Sequence, residues 1–137
     1  RSFTDADIAM VNGGGIRTNI KRGEILFNDL YNVMPFGDMI ATGTFYGEQL
    51  LDVLEFAVSA LPAEAGTFMQ VSGLRFTVDP DIPSPVMKDT ETGMFSHVGE
   101  GERRVSHVEI LDKQSGEYKA VELSLANTRL LHWTTLF

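Results

Sequence analysis

The chain has 137 residues, 43% of them hydrophobic and 22% charged, enough to bury one core at about 100–200 residues per domain. Lys and Arg total 11 against 19 Asp and Glu, a formal net charge of −8, and an acidic surface repels a long phosphate backbone, which disfavours a nucleic-acid polymer as partner, so none is expected. Cysteine is absent, which removes disulfide frameworks, thiolate nucleophiles and cysteine-ligated metals.

No window approaches the about 18 consecutive apolar residues of a membrane span. The first residues lack the basic-then-apolar order of a signal peptide, so a soluble chain is expected. It opens on Arg1 rather than Met and is expected to be a mature segment or a piece of something longer.

Along the chain, Ile8–Val11 is a short apolar run ending in Asn12-Gly13-Gly14-Gly15, read as a buried strand feeding a tight glycine loop. Asn28 to Val33 reads as a short helical turn capped by Asn28. Pro35 stops it, because the residue before a proline is pushed out of the helical region, and Phe36-Gly37 falls in an exposed turn. Met39 to Phe45 has strand composition. From Glu48, apolar Leu50, Leu54, Ala57, Val58 and Leu61 recur at helical spacing, with Glu48, Asp52, Glu55 and Ser59 opposite as a solvated face. This predicts a helix over 48–61 ended by Pro62.

Phe68–Val71 and Leu74–Val78 read as strands with a bend at Ser72-Gly73. Asp79–Gly101 is proline-rich and polar and is expected to be one long surface loop. Val105–Leu111 alternates as a half-buried strand, Lys113–Glu117 is a turn, and Tyr118–Leu125 is the returning strand. The sum is a single α+β domain, a mixed sheet packed against one or two helices.

Three glycines followed by Ile16 and Arg17 are the most informative stretch. Glycine lets the backbone approach a ligand, and Arg17 offers a planar fork for phosphate or carboxylate. The run lacks the glycine spacing of a dinucleotide fingerprint and the Gly-Lys-Ser/Thr ending of a P-loop, and a plain turn with a surface arginine fits it as well. Phe36, between Pro35 and Gly37, is a ring on a stiff turn where a base can stack. A core phenylalanine capping the preceding helix is the competing reading. His97, His107 and His132 are too far apart in sequence for the usual metal-ligand spacing, and no Gly-x-Ser-x-Gly elbow is present.

Asn12-Gly13-Gly14-Gly15-Ile16-Arg17, then Pro35-Phe36-Gly37, then Gly66-Thr67-Phe68-Met69-Gln70-Val71-Ser72-Gly73-Leu74-Arg75-Phe76 resemble, in order and spacing, the C-terminal domain of the 5'-nucleotidase family. The resemblance runs from about Ile8 to about Ala126. It implies a substrate-binding domain that grips the nucleoside part of a nucleotide, beside an N-terminal metallophosphoesterase domain that holds the divalent metal ions and cleaves the phosphate. The Asp-x-His and Gly-Asn-His-Asp/Glu motifs of that other domain are not in these residues. No cofactor is therefore expected in this chain, and alone it is expected to bind rather than hydrolyse.

By position, Asn12 and Arg17 resemble the family's substrate-contacting pair, Gly13, Gly14 and Gly15 its glycine loop, and Phe36 one of two rings that clamp the base. Gln70 to Leu74 looks structural. Family members are mostly exported, which implies a periplasmic, secreted or cell-surface location. The domain is taken as 1–137 with atypical residues 127–137, because the family's terminal Gly-Gly-Asp-Gly-aromatic segment is missing. Arg129 stands where the second ring is expected, and Trp133 or Phe137 are the aromatic residues nearby. A non-catalytic binding module or a structural remnant of the family is the alternative.

Overall fold

The structure is a computed structural model that describes residues 1–121 and, by its backbone, the strand Leu131–Leu136. Residues 122–130 and Phe137 lie outside the described residues, and with them the expectation for Arg129 and the second half of the Tyr118–Leu125 strand. In chain order the elements are β1 (Ile8–Asn12), a 3-10 turn (Gly13–Gly15), α1 (Phe27–Val33), β2 (Ile40–Phe45), α2 (Gly47–Val58), β3 (Met69–Ser72), β4 (Leu74–Val78), β5 (Val86–Lys88), β6 (Phe95–Val98), β7 (Val105–Leu111), β8 (Tyr118–Ala120) and β9 (Leu131–Leu136).

The expected α+β class holds, but the strands form two larger sheets rather than one. The first has the order β2-β9-β1-β3 and is mixed, with β1 parallel to β9 and antiparallel to β3. The second, β4-β7-β8, is antiparallel. Gly73, at φ 73°, is the point where the chain leaves β3 for β4 and changes sheet. The expected bend between these strands is therefore a sheet crossover.

The helix α2 is common to both sheets. Its Leu50, Leu51, Leu54 and Val58 share one core with Ile8 and Met10 of β1, Leu74 of β4, and Val105, Val108 and Ile110 of β7. Ile8, Leu50, Leu54 and Val58 have no exposed surface, and full burial of such side chains is worth about 1.5–3 kcal/mol each.

Several expectations need correction. The helix α2 ends at Val58, before Pro62. The guanidinium of buried Arg104 collects the carbonyls of Val58, Ser59 and Leu61 as well as that of Ile82. The Val58 and Ser59 carbonyls belong to the end of the helix, where acceptors lack intrahelical partners, so a side chain just before β7 caps the end of α2. Glu55, expected on the solvated face, is fully buried, and its Oε1 accepts the Val105 N–H at 2.8 Å.

The supposed loop Asp79–Gly101 contains the antiparallel pair β5–β6, and Phe95 of β6 stacks edge-on against Phe56 of α2, ring centroids 5.3 Å apart. The first residue of α1 is Phe27, so Asn28 lies inside the helix. Leu26 occupies the cap position, where its N–H donates to the Asp29 carboxylate at 2.8 Å. In β7, one extra residue at His107 (φ 50°) bulges the strand against β4.

Candidate functional site

The candidate residues sit at the end of β1 and along the excursion that follows it. The strand, interior to the first sheet, ends at Asn12, and the chain then tightens into the 3-10 turn Gly13–Gly15. This turn packs backbone to backbone on the segment before β3. The Gly13 N–H donates to the Phe68 carbonyl at 2.6 Å and the Gly14 N–H to the Gly66 carbonyl at 2.9 Å. A side chain at Gly14 would stand 3.1 Å from the Gly66 Cα, and one at Gly66 would meet the Gly14 Cα at 3.2 Å. Gly14 and Gly66 are thus a matched pair, each small because the other is close.

Asn12 is fixed by the same segment. Its Nδ2 donates to the Gly66 carbonyl at 3.4 Å, and its Oδ1 lies toward Gly15, where an added Cβ would be 3.4 Å away. Arg17 joins three pieces of the chain. Its N–H donates to the Val33 carbonyl at 2.8 Å, closing residues 17–33 into a loop around α1. Its Nη1 donates to the Gly14 carbonyl at 2.8 Å, and its Cζ lies 6.0 Å from the centre of the Phe36 ring.

Phe36 is 63% exposed, on a turn where Gly37 adopts φ 69°. The exposed ring sets aside its alternative reading as a core residue. The sequence-predicted glycine turn, Arg17 and Phe36 are therefore brought together, with Asn12 on the turn's upstream side.

An open cleft of about 520 Å3 flanks the turn, lined by Gly13, Gly14, Leu61, Pro62, Glu64 and Phe68 among others, but not by Arg17 or Phe36. The residues that sequence reasoning left out of the candidate site are Gly66, Phe68 and Val33, which act through backbone carbonyls. Gly66 and Phe68 fall within the third stretch of the family resemblance, Gly66 to Phe76, but were given no site role there. Among the described residues no group of three His, Cys, Asp or Glu converges as metal ligands would, and no helix is long and apolar enough to cross a membrane.

The family model for the C-terminal domain of 5'-nucleotidase matches residues 1–123. The chain belongs to this family. Within it, the chain is 40% identical over 72 residues to the trifunctional nucleotide phosphoesterase protein YfkN of Bacillus subtilis, covering 53% of this chain and 5% of that protein. Over 118 residues it is 30% identical to the NAD 5'-nucleotidase of Haemophilus influenzae, covering 85% of this chain and 17% of the relative. The structure of a 5'-nucleotidase precursor from Thermus thermophilus superposes with a TM-score of 0.76 at 30% identity, covering 98% of this chain and 22% of that one. This 5'-nucleotidase C-terminal domain thus spans under a quarter of each of these relatives.

Proposed function

We propose that this chain, over 1–137, is the nucleotide- or nucleoside-recognition domain of a 5'-nucleotidase-like phosphoester hydrolase acting in nucleotide catabolism. In this reading a metallophosphoesterase domain of the same full-length protein, whose motifs lie outside these residues, holds divalent metal ions and cleaves the phosphate. This chain supplies the grip. Phe36 stacks the base, Asn12 and Arg17 meet the polar part of the ligand, and Gly13, Gly14 and Gly15 form the turn that carries them. An exported location follows from the same family reading.

The observation that carries the reading is the junction at Arg17, which ties the glycine turn to the exposed ring of Phe36 through one guanidinium. A planar cation, an amide and a free aromatic face are the groups that a phosphate, a ribose and a purine call for. The missing Gly-Gly-Asp-Gly segment at 127–137 favours a second reading, a binding module or remnant without a catalytic role.

A calorimetric or NMR titration of the 137-residue chain with adenosine and AMP, without metal, separates them. Saturable binding that Phe36→Ala weakens about 10- to 100-fold, the range expected for a lost base–aromatic stack, supports recognition. No binding at millimolar ligand by the folded chain overturns it in favour of the remnant.

A further inference from the structure

Arg17 is expected, by resemblance, to touch the substrate. Its contacts here are internal: one Nη donates to the Gly14 carbonyl, the main-chain N–H to the Val33 carbonyl, and the guanidinium carbon stands 6.0 Å from the Phe36 ring centre. That separation is the outer limit for attraction between a cation and an aromatic face. The ion pairs among the described residues do not include Arg17, whereas Arg75, Arg103, Lys113 and Lys119 each meet a carboxylate.

Phe36 needs such a contact. Its backbone is held by Pro35 and by Gly37 at φ 69°, but the side chain is 63% exposed, and an exposed side chain changes rotamer in picoseconds to nanoseconds. A ring that must be ordered when a base arrives costs affinity, and a ring already held does not. The bond to Gly14 holds the guanidinium on the Phe36 ring, and the residue keeps 63% of its surface exposed.

We propose that Arg17 is a positioning residue for base stacking: it holds the Phe36 ring ready, so that it contributes to the binding of ligands that carry no phosphate. The proposal rests on reading Phe36 as the base-stacking ring. A pure phosphate contact would make Arg17 matter for AMP and not for adenosine.

The test is a double-mutant cycle in the 137-residue chain, with adenosine and AMP titrated into the wild type, Arg17→Ala, Phe36→Ala and the double variant. Adenosine affinity is expected to fall about three- to fivefold in Arg17→Ala, with no further fall when Phe36 is already alanine, because the two residues act as one unit. Unchanged adenosine affinity in Arg17→Ala overturns the proposal and leaves Arg17 as a phosphate contact, and an equal fall in both backgrounds overturns it by making Arg17 a direct contact to the nucleoside, independent of the ring. Arg17→Lys, which keeps the charge without the planar fork, carries the same test should Arg17→Ala lose the fold, with a smaller fall of about twofold expected.

If the wild type binds neither ligand, the recognition reading fails, and the ring itself still decides the inference. Loss of Arg17 is expected to move the Phe36 aromatic NMR resonances, and unmoved resonances overturn the positioning role.

Discussion

Gly73 lies at φ 73°, and a Cβ there would stand 2.5 Å from the Asp7 carbonyl oxygen and against the Arg1 side chain. An L side chain in the left-handed region costs about 1–2 kcal/mol on its own. The contact with Asp7 adds to this, because a backbone oxygen cannot step aside as a flexible side-chain tip can. Gly73→Ala is therefore expected to destabilise the chain by about 2–4 kcal/mol, read as a lower urea midpoint. A loss under about 0.5 kcal/mol would mean that the crossover between sheets is not constrained as described. Glu55 shows the opposite relation between sequence and structure. Its place among Glu48, Asp52 and Ser59 marks a wet helix face, yet it is fully buried because the Val105 N–H needs an acceptor. Helical spacing records one neighbour per face and carries no sign of a strand from another sheet arriving on it.

The strands β7 and β8 are joined by a turn built on Asp112, whose carboxylate accepts from Lys119 Nζ at 2.7 Å and from the N–H groups of Gln114 and Ser115. The hydrogen bond from Lys119, followed by those from Ser115 and Gln114, holds this carboxyl well below the usual carboxylate range. A carboxyl whose folded value is depressed stabilises the fold fully above its unfolded value, about 3.9. That contribution drains away as pH falls through the folded value. Asp112→Asn is expected to lower stability at pH 7, and its deficit against the wild type is expected to shrink as pH drops below 4. Paired urea titrations at both pH values check this, and a deficit that stays constant with pH would show that the carboxylate charge contributes nothing.

At this scale the sequence was most readable where a segment's own residues decide its form. The apolar run of β1, the periodicity of α2 and the Gly73 bend all appear in place. The β5–β6 pair was hidden in polar, proline-rich sequence because its support is Phe95 on Phe56, a contact between residues far apart in the chain. The division into two sheets was hidden for the same reason, since alternation gives a strand's faces but not its neighbours. In the candidate site, the glycines, Arg17 and Phe36 stood out by type, while Val33, Gly66 and Phe68 take part through carbonyls that every residue possesses.

Across the whole molecule, burial is unevenly shared. Leu50, Leu54 and Val58 of α2 are inaccessible to solvent together with Ile8 of β1, whereas α1 buries no residue and leaves Phe27, Leu30 and Tyr31 more than half exposed. The segment around α1 is closed at its neck by the Arg17–Val33 hydrogen bond and meets the glycine turn through the Arg17–Gly14 hydrogen bond, while the Phe27–Tyr31 ring contact lies within α1 itself. A helix of 7 residues without a buried face has little to stabilise it in water, and local opening follows such differences in packing. Amides of α1 are therefore expected to exchange with solvent at least about 100-fold faster than those of α2 and β7, which open only with the core. Equal protection in α1 and α2 would show that α1 is held by contacts beyond those described. The consequence for recognition is specific, because both Arg17 and Phe36 border this weakly held segment. A ligand that binds only the closed arrangement adds its binding free energy to closure. Saturating adenosine is thus expected to slow exchange across residues 17–37 while leaving α2 unchanged. Protection appearing in α2 instead would place the ligand in the cleft beside Leu61 and Pro62, on the other flank of the glycine turn.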